Sequence, residues 1–357
     1  MVSCASDPQC RFTVYNPFIM RKLVLIIVLF LGATLVYLSF SELGSIADTL
    51  QQATMRFIVL GILLELLWFL VAGLNYQSLY KVLGLDETIK KLILLHASAN
   101  FVNTVAPTGG AGGMAVFISA ATKDGHSVGK VTVASMLYLF ADYVAFLFVL
   151  TLGLIVLFRR NQMGPTEVGA SAIMFIIATV LGFLLYLGSQ SGKALGNALA
   201  WMARFVNRVA RPFIHREYLS EARAYEFAEE MSSDLKSLPE RPRSLIVPFA
   251  YSLAGKVLLM LVLMCVFLAF QIPFSAGTII GGFAISYLFL IVSPTPSGIG
   301  IVEGVMPLAL SSLRVPLSQG LIVTLAYRGI TFWIPLGLGA IAFRMTESSR
   351  KKEKTVS

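Results

Sequence analysis

The sequence has few charged side chains, and this shortage decides its class. Charged residues make up 13% of the 357 residues and hydrophobic residues make up 57%, whereas an ordinary soluble domain carries about 25% charged residues. This composition excludes a soluble globular domain. We therefore expect an all-α polytopic membrane protein.

The chain also lacks the motifs of soluble catalysis and of metal binding. It contains no Walker loop, no dinucleotide fingerprint, no HExxH motif and no nucleophile elbow. The three cysteines show no metal-ligand spacing. The basic residues behind the net charge of +9 lie in loops and tails rather than on one soluble face. We expect no enzyme activity, no cofactor, no metal site and no nucleic-acid partner.

Long apolar runs take up most of the sequence instead. A helix of about 20 residues crosses the hydrocarbon core of a bilayer, and we expect about six full transmembrane helices of this kind. The runs are Leu23–Phe40, Phe57–Leu74, Val131–Phe158, Val168–Leu187, Leu245–Phe270 and Gly320–Phe343.

Basic residues beside these runs predict the orientation. Arg21 and Lys22 precede the first run, residues 41–55 contain no Lys or Arg, and residues 346–357 are basic. By the positive-inside rule, both termini are cytoplasmic and the protein is a multi-pass protein of the inner (cytoplasmic) membrane. Arg159 and Arg160 fall on the outer side in this layout, which argues against it.

The same reading divides the chain into segments. Residues 1–19 show no apolar period and are expected to be a disordered extension, with Met20 as an alternative start. The other segments are a transmembrane domain (20–345) with halves at about 57–188 and 245–343, a cytoplasmic connector (189–244) and a basic cytoplasmic tail (346–357).

The connector allows two interpretations. Apolar residues recur every four positions in its first part, at Trp201, Phe205, Val209 and Phe213. This spacing is typical of an amphipathic helix lying on the inner leaflet. A solvated link between the two halves is the alternative.

Two further apolar stretches are interrupted near the middle by proline and glycine. Leu92–Thr122 contains PTGGAGG, and Ala276–Leu313 contains PTPSGIG. Each arm has about 15 residues and is roughly 22 Å long at 1.5 Å per residue, which is shorter than the bilayer core. We expect two re-entrant helical hairpins. The alternative is a pair of kinked spans in each half, giving ten spans in total.

The two interruptions resemble each other. Val105, Pro107 and Thr108 match Val292, Pro294 and Thr295 in the shared pattern V-x-P-T, and an ionisable residue follows at nearly the same distance, Asp142 and Arg328. The loop charges predict a cytoplasmic open end for the first hairpin and an external one for the second. This pattern predicts an inverted repeat, a transporter architecture in which broken helices face the substrate.

Irregular backbone at membrane depth must be satisfied by protein or by a water-filled cavity. Helical arms beginning near Met114 and Ile301 offer N–H groups to an anion such as a lipid phosphate; close helix packing by glycine is the alternative. The predicted substrate pathway comprises Pro107, Gly109, Gly110, Gly112, Gly113, Asp142, Pro294, Pro296, Gly298, Gly300, Glu303 and Arg328. Secondary candidates are Glu65, His96, Asn100, Asn103 and Lys256. His96, Asn100 and Asn103 lie at helical spacing on the first hairpin, so they could line the same cavity.

Charges inside apolar runs are costly and nearly balance here, which favours internal ion pairs. We expect Arg328 to pair with Asp142 or Glu303; an unpaired Arg328 would suit a phosphate headgroup. Glu303 is expected to cap its helix, to couple to protons or to pair with a cation.

The motifs NFVNTVAPTGGAGG, ADY around Asp142, PTPSGIGIVEG and AYRGITFWIPLGLG resemble the membrane region of lysylphosphatidylglycerol synthases and related flippase-like proteins. The resemblance spans about Met20 to Phe343 and implies a role in moving or presenting lipids. The chain departs from the family at Leu139, where many relatives have arginine, and after the first glycine turn, where an acidic residue is missing. No soluble aminoacyl-transferase domain follows the last run, so we expect no lipid aminoacylation.

Together these features predict a flippase-like protein that translocates or presents an anionic or phosphate-bearing lipid, whether a phospholipid, a glycolipid or a polyprenyl-linked lipid. The alternative is a non-transporting scaffold or accessory subunit for a separate glycosyltransferase or lipid-modifying enzyme, docking through residues 189–244. The sequence specifies neither the lipid nor an oligomeric state.

Overall fold

The computed structural model describes residues 53–105, 111–160, 164–210, 242–293 and 295–354, with short pieces between 225 and 233. In these ranges the chain is almost entirely helical and no strand occurs. The predicted extension 1–19, the predicted first span Leu23–Phe40 and much of the predicted connector lie outside the described residues.

The helices follow one another in chain order with short connections. They are α1 (Met55–Val82), α2 (Ile89–Val105), α3 (Ala111–Asp124), α4 (Val128–Arg159), α5 (Pro165–Gln190), α6 (Gly192–Ala210), α7 (Ile246–Ala269), α8 (Ala276–Val292), α9 (Ile301–Ser312), α10 (Leu317–Arg328) and α11 (Ile334–Lys354). A π-helical turn, Gly329–Trp333, joins α10 to α11, and a 3₁₀ turn, Pro296–Gly298, lies between α8 and α9.

Five helices in the described part are long and apolar enough to cross a membrane: α1, α4, α5, α7 and the continuous stretch Leu317–Thr346. Large apolar side chains on their outer faces, such as Leu63, Phe175 and Phe183, are more than half exposed. Exposed apolar surface of this extent is expected against lipid and unexpected in water. Five of the six predicted spans are thus present as helices of the required length.

Each proline- and glycine-containing interruption separates two short helices that pack against each other, α2 with α3 and α8 with α9. Their lengths of 17, 14, 17 and 12 residues correspond to about 18–26 Å at 1.5 Å per residue. The breaks predicted from the sequence are confirmed. That the hairpins are re-entrant stays a prediction.

Polar contacts fix the open ends of the two hairpins at opposite ends of α4. Lys91 Nζ lies 2.8 Å from Asp124 Oδ2, which joins the outer ends of α2 and α3 next to the start of α4. At the far end of α4, Arg160 donates to the backbone oxygen of Leu313 (3.0 Å) and to Ser275 Oγ (3.0 Å), which joins the outer ends of α9 and α8. This placement supports an inverted arrangement, although the repeat itself stays a prediction. It also gives the basic residue Arg160 a structural role there.

The two halves meet where α1 and α7 pack along each other. Asn75 Nδ2 donates to Ser252 Oγ at 2.9 Å across this interface, and both residues are buried. Glu65 and Lys256 lie at the same distance from the first residues of these helices, Met55 and Ile246. The interface therefore places one carboxyl group and one ammonium group at matching positions of the two helices.

Candidate functional site

A polar cavity of about 160 Å³ lies between helices of the two halves. Its polar lining comes from α1, α2, α8, the 3₁₀ turn, α10 and the π-helical turn: Glu65, Asn100, Thr104, Ser286, Tyr287, Ser297, Tyr327, Arg328 and Thr331. Aromatic rings of Trp68, Phe283 and Phe332 complete much of the wall. Of the predicted pathway residues, Arg328 lines this cavity, together with two secondary candidates of the first half, Glu65 and Asn100.

The break between α8 and α9 depends on residues with left-handed backbone. Ser297, Gly298 and Gly300 have φ of 48°, 70° and 80°, a region in which a side chain is strained and glycine is not. Pro296 opens the intervening 3₁₀ turn. The PTPSGIG signal was therefore read correctly as a helix break, although Pro294 lies outside the described residues.

Glu303 and Arg328 form the charged centre of this break. Glu303 Oε2 accepts from the N–H of Gly300 at 2.7 Å, which caps α9, and its Oε1 lies 2.5 Å from Arg328 Nε. Arg328 Nη2 also donates to the backbone oxygen of Ser297 at 3.1 Å, and the guanidinium lies 4.5 Å from the centre of the Phe332 ring. Of the two partners expected for Arg328, Glu303 is found. The alternative, an unpaired Arg328, is not found.

Asp142 has a different partner from the one considered first. Its Oδ1 and Oδ2 lie 2.7 and 2.8 Å from Lys256 Nζ, which also donates to the hydroxyl of Tyr287 at 2.6 Å. Because α4 packs against α7, the lysine reaches Asp142 from the other half. A pair between Asp142 and Arg328 does not form, and the second ion pair joins the two halves.

The break between α2 and α3 is capped without charge. Asn103 Oδ1 accepts from the N–H of Gly113 at 2.7 Å, and a Cβ added to Gly113 would lie 2.5 Å from Asn103 Nδ2. Gly113 therefore allows close packing of the two arms. Gly112 directly precedes it in the first turn of α3. The candidates Pro107, Gly109 and Gly110 lie outside the described residues. At both breaks, one N–H group at the helix start is already bound by a side chain, and anion binding there stays a prediction.

The first-hairpin candidates separate in the structure. Asn100 lines the cavity, whereas Asn103 turns to Gly113 and His96 lies outside the lining. The His96 ring lies among aromatic rings, 5.2 Å from Trp68 and 5.6 Å from Tyr138 between ring centres, and its Nε2 has no hydrogen-bond partner among the described residues. Helical spacing alone did not distinguish these three directions.

Sequence reasoning missed the hydroxyl groups that line the cavity. Tyr287 and Tyr327 are buried or nearly so within apolar runs, and Ser286 directly precedes Tyr287. A usable signal existed, because a phenol in a buried apolar helix needs a hydrogen-bond partner. Tyr327 also directly precedes Arg328 in the sequence.

A second and larger groove, of about 530 Å³, runs along the first hairpin. Its walls are mostly apolar side chains of α2, α3 and α11, including Leu95, Val102 and Phe343, and it reaches Lys91 and Lys123 at the open end of the hairpin. The groove therefore combines apolar walls with charged groups at one end, where Asp124 also lines it.

Comparison with known proteins identifies relatives over nearly the whole chain. Residues 22–339 match the family model described as the lysylphosphatidylglycerol synthase TM region. A UPF0104 membrane protein of Methanocaldococcus jannaschii is 24% identical, over 94% of this chain and 98% of its own length. A UPF0104 membrane protein of Pyrococcus horikoshii is 26% identical, over 90% of this chain and 96% of its own length.

Proposed function

Because the chain belongs to the family of lysylphosphatidylglycerol synthase transmembrane regions, we propose that it is a flippase-like membrane protein that translocates or presents an anionic or phosphate-bearing lipid. The observation that carries this proposal is the polar cavity, which meets helices of both halves and the broken backbone at Ser297. Broken helices that face a site between two halves are a feature of transporters.

The chemistry of the cavity suits a phosphate group. Arg328 lies in its wall and uses Nε and Nη2 for Glu303 and Ser297. A guanidinium has five N–H donors in a planar fork, so donors remain for phosphate oxygens. Hydroxyls of Tyr287 and Tyr327 can donate further hydrogen bonds, whereas the Thr331 hydroxyl already donates to the backbone oxygen of Tyr327.

The groove along the first hairpin supports a lipid rather than a free phosphate. Its mostly apolar walls suit an acyl or polyprenyl chain, which a free phosphate lacks. This placement gives the two hairpins different tasks, with the chain of the lipid at the first and the headgroup at the second.

Vesicles containing the purified protein and fluorescent phosphatidylglycerol test the proposal. We expect wild-type protein to move the probe between leaflets and Glu303→Gln to abolish this movement. Glu167→Gln is a matched control, because Glu167 Oε2 caps α5 through the N–H of Gly164 at 3.0 Å without an arginine partner. Normal movement in both Glu303→Gln and Arg328→Ala would overturn the site assignment, and failure of wild-type protein to move any anionic lipid would overturn the function.

The scaffold alternative rests on α6. This helix buries Leu195, Ala200 and Ala203 but leaves 63% of Trp201 exposed. An exposed tryptophan on an amphipathic helix suits a membrane surface or a partner enzyme. The scaffold function predicts that deleting residues 189–244 abolishes activity of the partner enzyme while Glu303→Gln leaves it unchanged.

A further inference from the structure

Glu65 is a buried carboxyl group in the wall of the cavity. Its residue is 1% exposed, and its Oε2 has no hydrogen-bond partner among the described residues. It lies in α1, a helix that meets the criteria of a membrane span. An ionised carboxylate in such a place is costly unless a cation neutralises it.

In the described part of the chain, two ion pairs lie beside this cavity, whereas the imidazole of His96 has no hydrogen-bond partner at Nε2. Arg328 pairs with Glu303, and Lys256 pairs with Asp142. Both cations, Arg328 and Lys256, are engaged in these two pairs, and the carboxyl group of Glu65 has no ion pair among the described residues. A third positive charge is therefore needed if Glu65 is to be ionised.

Glu65 and Lys256 occupy matching positions in α1 and α7, but only Lys256 has an ion-pair partner among the described residues. Lys256 in α7 reaches across to Asp142 in the opposite half. Arg328 of α10 lines the same cavity as Glu65 but makes its ion pair with Glu303. Glu65 is thus the one member of the four-helix arrangement of Glu65, Asp142, Lys256 and Arg328 without an ion pair in the described structure.

The groups around Glu65 favour a proton as its partner. Those that titrate or carry charge on the neighbouring helices are His96 on α2, Asp142 on α4, Lys256 on α7, Tyr287 on α8, and Tyr327 and Arg328 on α10. Among the described residues no group of three His, Cys, Asp or Glu side chains can hold a metal ion. Hydroxyls and aromatic rings can surround a neutral carboxyl, but they supply no positive charge.

We propose that Glu65 is a proton-binding site of the cavity, with its carboxyl group protonated in the arrangement in which Arg328 pairs with Glu303. This goes beyond the proposed lipid function and does not depend on it. A protonated carboxyl can donate to a neighbouring hydroxyl or to a ligand, and it becomes an acceptor-only anion when its proton is released to water. The site would let proton binding alter the charge of the cavity.

Infrared spectroscopy of the purified full-length protein in lipid nanodiscs tests the proposal. Wild-type protein at neutral pH should show the carbonyl stretching band of a protonated carboxyl, and Glu65→Gln should lose it. The control Glu167→Gln, at the N-terminus of α5, should keep the band. A wild-type spectrum without the band, or a band that survives in Glu65→Gln, would overturn the proposal.

A second variant covers the case in which Glu65→Gln does not fold. Protein grown with ¹³C-carboxyl glutamate should show the band shifted to lower frequency in wild type and unshifted in Glu65→Asp, which keeps a carboxyl without the label. A labelled band of wild-type size in Glu65→Asp would assign the proton to another glutamate. Since no lipid movement is measured, failure of the flippase proposal leaves this result unaffected.

Discussion

The two helix breaks have the same outline but different electrostatics. At the first break the start of α3 is capped by a neutral amide, with Asn103 Oδ1 accepting from the N–H of Gly113. At the second break the start of α9 is capped by the carboxylate of Glu303, which is paired with Arg328. The same local problem, an unsatisfied helix start, is thus solved once without charge and once with an ion pair.

The two helix breaks therefore contribute different features to the structure. The second half keeps a charged pair at its own break, whereas Asp142 of the first half is paired with Lys256 of the second. The first break therefore contributes packing and the adjacent apolar groove, and the second contributes charge to the cavity.

The largest effect is expected from removing the charge at the second break. Glu303→Ala leaves Arg328 buried without its ion pair, a loss of about 3–5 kcal/mol, and removes a helix cap, a loss of about 1 kcal/mol. Equilibrium unfolding in detergent measures the change. Glu167→Ala removes only a cap and should lose about 1 kcal/mol; equal losses for the two variants would show that the ion pair adds nothing.

Removing the pair between the halves should come next. Lys256→Met leaves Asp142 without a cation, but the Asp142 side chain is 21% exposed, so we expect a loss of about 3 kcal/mol, at the low end for a buried pair. The double variant Asp142→Asn, Lys256→Met removes both charges and should recover most of this loss. A double variant as unstable as Lys256→Met would mean that packing of the lysine chain, rather than charge, is what matters.

The sequence predicted the long apolar helices and both breaks because each has a strong local signal. The residues of PTPSGIG cannot continue a helix, and α1, α4, α5 and α7 contain long apolar runs with at most one charged residue each. The ion-pair partners could not be predicted from the sequence. Asp142 could pair with Lys256 or with Arg328, depending on how the helices pack, and the packing of α4 on α7 selects Lys256. The position of His96 outside the cavity lining could not be predicted for the same reason. Whether a side chain faces a cavity depends on the neighbours against which its helix packs.

A smaller effect is expected at the first break. Asn103→Ala removes the amide that caps α3 and should cost about 1 kcal/mol, well below Glu303→Ala. Asn100→Ala, on the same helix and in the cavity wall, removes no cap and serves as the control in the same unfolding experiment. If Asn103→Ala is as damaging as Glu303→Ala, the contrast between the two breaks is wrong.

The smallest effect is expected at the open ends of the two hairpins. Acid should change the contribution of the first open end to the free energy of unfolding and leave that of the second unchanged. At the first open end Lys91 lies 2.7 Å from Glu87 and 2.8 Å from Asp124, whereas at the second Arg160 binds a backbone oxygen and a hydroxyl. Partial burial pushes the pKa of Glu87 up, but bonds from Lys91 and from the N–H of Thr88 outweigh it, so the pKa lies below its ordinary value of 4.5.

A carboxyl whose pKa is lower in the folded state stabilises the protein above its unfolded pKa, and this stabilisation is lost as the pH falls through the folded value. The difference in unfolding free energy between wild type and Lys91→Met should therefore be at most about 1 kcal/mol at pH 7 and should shrink below pH 4.5. The difference between wild type and Arg160→Met should stay constant, since neither acceptor of Arg160 titrates there. A Lys91→Met difference that is unchanged by acid would contradict an ionic closure of the first hairpin.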